Sequence, residues 1–131
     1  MQQQEDQQSR ASKGIDRINL DLSSPTKVFV PQSDVDSCSS YREAVRLAWE
    51  RRAQKGMTQS LLASFCDLYA PHVSDYLSKD VVDAKGGRRR ELPAEKIDDF
   101  ERVVGNRAVS QYLMRKAMLT IMEEVIAART A

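Results

Sequence analysis

The sequence predicts an all-α protein: a compact five-helix domain with a flexible N-terminal arm and an extended C-terminal helix. Three observations carry this expectation. From Ser40 onward apolar residues recur three and four apart, the period of a buried helix face. Capping residues or prolines stand ahead of those runs, and glycines close two of them, at Gly56 and Gly105. The one clear β-branched run, Val28–Val30, is short and lies near the N-terminus.

The chain has 131 residues, one domain's worth, with 41% hydrophobic and 30% charged residues. Twenty basic residues against 19 acidic ones leave a net charge of +1, so any nucleic-acid partner must be argued from local charge. Two cysteines, Cys38 and Cys66, and a single histidine are too few for a metal box, and no cofactor motif appears. No apolar run approaches the roughly 20 residues of a membrane span, and "MQQQEDQQSR" has no signal-peptide pattern. The expectation is a cytoplasmic protein with reduced thiols, no metal, no cofactor and no membrane partner.

Residues 1–38 read as a flexible arm. Its first 14 residues are Gln-rich and polar, with nothing to bury. "IDRINLDL" (15–22) fits a strand or a helical turn equally, residues 26–31 fit a short strand between prolines, and "QSDVDSCSS" fits a polar linker. Order is expected from about Ser40, where "SYRE" matches a capping box. The first helix then runs to about Lys55, with Ala44, Val45, Ala48 and Trp49 on one face and Gly56 as its stop.

Thr58 is placed to cap a second helix over 59–66, which buries Leu61, Leu62, Phe65 and Cys66. A third helix starts near Ala70 with Pro71 in its first turn and buries Val73, Tyr76 and Leu77. Residues 79–91 form a loop on Gly86-Gly87 followed by Arg88, Arg89 and Arg90. A fourth helix begins at Pro93, buries Ile97, Phe100, Val103 and Val104, and ends at Gly105. The fifth has no breaker after Asn106 and outruns any core that short helices can offer. The expected division is therefore arm 1–38, helical domain 39–107 and C-terminal helix 108–131, the last a possible dimerisation element.

The second and third helices meet the physical requirements of a DNA-reading corner. Ala63 is small where two helices cross, and Asp67 tolerates the left-handed backbone that a three-residue turn needs. The outer face of the third helix carries Ala70, Pro71, His72 and Asp75. "MTQSLLASFCDLYAPHVSDYL" resembles the motif of lambda-repressor-like (Cro-type) helix-turn-helix regulators of phage and prophage. Thr58-Gln59, Leu62-Ala63, Leu68 and Val73 match it without a gap. "RRRELPAEKIDDFERVVGNRAVSQYL" is similar to the family's downstream basic loop and helices, so the resemblance covers roughly residues 41–113. Three positions depart from the pattern: Asp67 stands for a usual Gly, Cys66 for a larger aliphatic, and Pro71 for a polar residue that could reach a base.

The resemblance implies double-stranded DNA as partner and roles for nine residues. Gln59 sits near the DNA backbone and braces the recognition helix, or is simply exposed. Tyr69 reaches a phosphate through its hydroxyl. Ala70 and Pro71 face the groove with little hydrogen-bonding capacity, and His72 donates to a base or phosphate, or stands exposed without a role. Asp75 accepts from a cytosine amino group or pairs locally. Arg88, Arg89 and Arg90 neutralise phosphates. The long last helix suggests a homodimer, which sets two recognition helices about 34 Å apart.

The leading expectation is a sequence-specific repressor that occupies a palindromic operator. The alternative is a protein-interaction module, an antitoxin or a phage protein that binds a host or toxin protein, partly through the N-terminal arm. No catalytic constellation is present in a recognisable frame, so an enzyme is not expected.

Overall fold

The computed structural model describes residues 28–130. They form α1 (Gln32–Asp36), α2 (Tyr41–Glu50), α3 (Gln59–Cys66), α4 (Ala70–Leu77), a 3-10 turn (Ala94–Lys96), α5 (Ile97–Val104) and α6 (Ala108–Thr130). The described residues are thus mostly helical, as the sequence predicts, but with six helices instead of five and no strand. The expected readings of residues 1–27, and of Ala131, lie outside the described residues.

The additional helix is α1, in the stretch read as a polar linker. Pro31 presets the backbone at its start, and Val35 is its single buried residue. Ion pairs hold it at both sides, Arg51 to Asp34 at 2.7 Å and Arg115 to Asp36 at 3.0 Å. One valine in a polar run has no periodicity, which is why the sequence pattern missed it.

The short strand suggested at residues 26–31 is corrected too over its described part, residues 28–31. Val28 makes one parallel bridge with Asn106: its N–H donates to the Gly105 carbonyl (3.0 Å), and its carbonyl accepts from the Arg107 N–H (3.1 Å). The side-chain amide of Gln111 then serves Val30 as a strand partner would, accepting from its N–H at 3.0 Å and donating to its carbonyl at 2.9 Å. Residues 28–38, expected as the end of a flexible arm, therefore pack on the domain, with Val30 and Val35 in its core.

Local chemistry sets the remaining ends. Ser40 caps α2 by accepting from the Glu43 N–H, but the Glu43 carboxylate reaches back to Ser39 and not to Ser40's own N–H. Helix α2 stops at Glu50, five residues short of the expected Lys55. Beyond it the Ala53 N–H donates to the Val104 carbonyl at 2.9 Å, and Arg52 folds over the Trp49 ring 4.2 Å from its centroid. The Ala53 contact needs a chain that has left the helix. Gly105, at φ 81°, ends α5, and a Cβ there would lie 3.1 Å from the Ala53 Cβ.

Two buried polar residues tie the start of α6 to α2 and α5. Asn106 donates to the Ala48 carbonyl (2.9 Å) and accepts from the Ala108 N–H (3.2 Å), so one amide serves an end of α2 and the start of α6. The buried Glu101 carboxylate accepts from the Ser110 N–H at 2.8 Å and hydroxyl at 2.6 Å, in the first turn of α6. Only Ala108, Val109 and Tyr112 of that helix are buried.

Candidate nucleic-acid interface

Helices α3 and α4 meet at the corner the sequence predicts. The Thr58 hydroxyl accepts from the Leu61 N–H at 3.2 Å, and Asp67 closes α3 at φ 52°. The Leu68 N–H then donates to the Ala63 carbonyl at 2.9 Å, which completes the reversal. Leu62, Ala63, Val73, Tyr76 and Leu77 are buried, so both helices are anchored by their inner faces.

The outward side of α4 is short of hydrogen-bonding groups. Tyr69 is 64% exposed, and Ala70 and Pro71 are exposed beside it. His72 is half-buried between two tyrosine rings, edge-on to Tyr69 at 4.6 Å and to Tyr76 at 6.4 Å between centroids. Ser74, which the motif comparison passed over, is exposed one turn after Ala70, and its hydroxyl both donates and accepts. Its spacing from Ala70 was the available signal. Gln59 is exposed at the start of α3, and its side chain has no hydrogen-bond partner among the described residues.

The basic segment is folded more tightly than a loop. Val82 and Arg88 form an antiparallel bridge, and the Arg89 N–H donates to the Val81 carbonyl at 2.7 Å. Asp83 organises the tip: its carboxylate accepts from the Lys85 and Gly87 N–H groups, both at 2.9 Å. Gly86 takes φ 84°, and a Cβ on Gly87 would come within 3.0 Å of that carboxylate. The result is a small hairpin-like wing with Lys85 exposed at its tip.

Arg42 joins the wing to α4. It is buried, and its guanidinium donates to four main-chain carbonyls: Asp75 and Ser78 (3.3 Å) at the end of α4, and Arg89 (3.1 Å) and Arg90 (3.0 Å) in the wing. Arg46, one turn on, donates to the Leu77 carbonyl at 2.7 Å. Two cations from α2 thus meet the negative end of α4. The hint in the sequence was that Arg42 shares a helix face with Val45 and Trp49, a charge in an apolar phase.

The three arginines differ in consequence. The Asp75 carboxylate, 18% exposed, accepts from Arg89 at 3.1 Å and Arg90 at 3.4 Å. Partial burial works to raise the Asp75 pKa, but the Arg90 N–H and the two guanidinium groups outweigh it and hold the carboxyl below its ordinary 3.8. Of the two roles open to Asp75, local pairing is the one the geometry supplies. Arg88 is exposed with no side-chain partner among the described residues.

Elsewhere, Cys66 is a core residue, and burial pushes its thiol up to about 12, with Asp99 adding to the shift and Lys96 opposing it. No group of three or more His, Cys, Asp or Glu among the described residues could hold a metal ion. No described helix is long and apolar enough to cross a membrane.

Comparison with protein-family models, with curated proteins and with solved structures returns no match. The geometry by itself defines an all-α fold carrying a two-helix corner, a basic wing fastened to it and a protruding apolar helix.

Proposed function

We propose that this chain is a sequence-specific DNA-binding regulator, a phage- or prophage-type repressor that occupies a palindromic operator as a dimer. The observation that carries the reading is the Arg42 junction. It makes one unit of an exposed eight-residue helix and an arginine-bearing wing. A helix of that length is about 12 Å long and fits a major groove of similar width. Phosphate contacts position such a protein and base contacts specify its site.

In this reading Arg88, with Arg90 and Lys85, contacts phosphates, and Tyr69 adds a hydroxyl at the start of α4. Ala70 and Pro71 meet thymine methyl groups, while Ser74 and His72 supply the hydrogen bonds to base edges. Asp75 touches no base; it pairs with Arg89 and Arg90 and weakens their pull on phosphates. Repression follows from occupancy of a promoter.

Sequencing the duplexes retained by the protein from a random pool tests this. Enrichment of a two-fold related site is expected, and a pool indistinguishable from its input would sink the proposal. The second reading, a protein-interaction module such as an antitoxin, draws support from the exposed apolar half of α6.

A further inference from the structure

Past its first turns α6 leaves the domain, and every residue from Leu113 to Thr130 is exposed. Met114, Met118 and Met122 stand four apart on it, so they form one row about 12 Å long. They are 65%, 55% and 53% exposed, and with Phe29, 72% exposed, they line an open groove of about 540 Å³. The described chain begins at this groove. Val28 bonds beside Asn106, Val30 beside Gln111, and Phe29 between them is part of the groove wall. Residues 1–27 precede that point and lie outside the described residues.

We infer that residues 15–22 of the same chain, "IDRINLDL", fold back over this groove and cover the methionine row. Pattern, reach and charge select that occupant. As a helix the segment sets Ile15, Ile18 and Leu22 on one face, and as a strand it sets Ile18, Leu20 and Leu22 there. Either row is about 10–13 Å long, a match for the methionines. Leu22 lies six residues before Val28, a distance the extended chain spans up to about 20 Å. Met114 lies only about 12 Å along the helix from the level of Asn106. Val28 and Val30 run in the same sense as the start of α6, so the chain before them has to reverse. Ser23, Ser24 and Pro25 are turn-forming residues, and the spare length covers that turn. The charged residues lining the groove are Arg107 and Arg115. Each holds one carboxylate, Glu101 at 3.8 Å and Asp36 at 3.0 Å, and has further N–H donors to offer. The segment brings Asp16 and Asp21 against a single Arg17. Tethering then favours it over a second copy, since a short linker holds it at an effective concentration on the order of millimolar.

Methionine oxidation by dilute hydrogen peroxide, read residue by residue by mass spectrometry on the full chain, tests the inference. Met57, 2% exposed, reports that the domain stays folded, and a free methionine peptide in the same tube gives the unprotected rate. Met114, Met118 and Met122 are expected to oxidise roughly tenfold more slowly than the peptide, at a rate independent of protein concentration. Making Ile15→Ser, Ile18→Ser, Leu20→Ser and Leu22→Ser together brings them to within about twofold of the peptide, while Met57 stays slow. None of the four belongs to the core of the described domain. A methionine row that reacts like the peptide in the unaltered chain overturns the inference. So does protection that survives the four changes, or protection that appears only as concentration rises, the mark of a second copy. No residue used here is assigned to DNA. Failure to select an operator therefore refutes the regulator alone, and an unprotected row refutes only the folding back of residues 15–22.

Discussion

Replacing Arg42 with methionine keeps most of the volume of its stem and removes the guanidinium. Four main-chain carbonyls then lose their donor, those of Asp75, Ser78, Arg89 and Arg90. Hydrogen bonds to a charged group contribute about 1.5–3 kcal/mol each. The four do not add, because one rigid group makes them all and each is only partly buried. The Nε of Arg42 is also buried without an acceptor, which offsets part of the gain. Leaving these partly buried carbonyls without their shared donor costs about 3–5 kcal/mol in all. For a domain of this size that is a fall in Tm of roughly 15–30 °C. The control is Arg46→Met, which removes one carbonyl contact and a half-exposed pair with Glu50 and costs about 1 kcal/mol. Urea unfolding followed by circular dichroism, at pH 5 and pH 8, measures both. The gap between the variants is expected at both pH values. An Arg42→Met loss no larger than that of Arg46→Met refutes the reasoning that this residue clamps the wing to α4.

Asp75→Asn tests the partner side of the same junction. The folded-state pKa of Asp75 lies below the ordinary 3.8, so its contribution is present above that pH and lost as pH falls through the folded value. Wild type therefore loses stability below about pH 4 more steeply than the variant, and urea midpoints at pH 7 and pH 3 with equal differences would contradict it. The same change frees Arg89 and Arg90 and raises affinity for random-sequence duplex several-fold in an anisotropy titration; unchanged affinity would mean that Asp75 does not hold them back. Arg88→Ala lowers the slope of log K against log salt by about 1, uniformly across sequences, and an unchanged slope removes Arg88 from the phosphate contacts. With its pKa pushed to about 12, Cys66 labels with a thiol reagent at pH 8 only after denaturant is added, whereas half-buried Cys38 labels in the folded protein; equal rates would place Cys66 at the surface.

What the sequence made legible was whatever depends on a residue and its near neighbours. Thr58 as a cap, Asp67 in the left-handed region, Pro71 in a first turn and Gly105 at a helix end are all local requirements, and each is met. The failures share the opposite character. Helix α1 is held by Asp34 and Asp36 pairing with residues 17 and 79 positions away. Val28 and Val30 find partners in Asn106 and Gln111, not in a second strand. Helix α2 ends early where Ala53 makes a tertiary contact with Val104. At the candidate site, the exposed face of α4 was legible from its period. The pairing of Asp75 with Arg89 and Arg90 was not, because it depends on where Arg42 anchors the wing.

The central claim is that α4 and the wing read DNA as one unit. The most direct test is titration of the purified chain against its own upstream promoter DNA and a scrambled duplex, each at two salt concentrations. Preferential binding to the promoter that weakens as salt rises is the predicted result. Equal affinity for both duplexes, or none for either, would contradict the claim and leave the corner between α3 and α4 as scaffold.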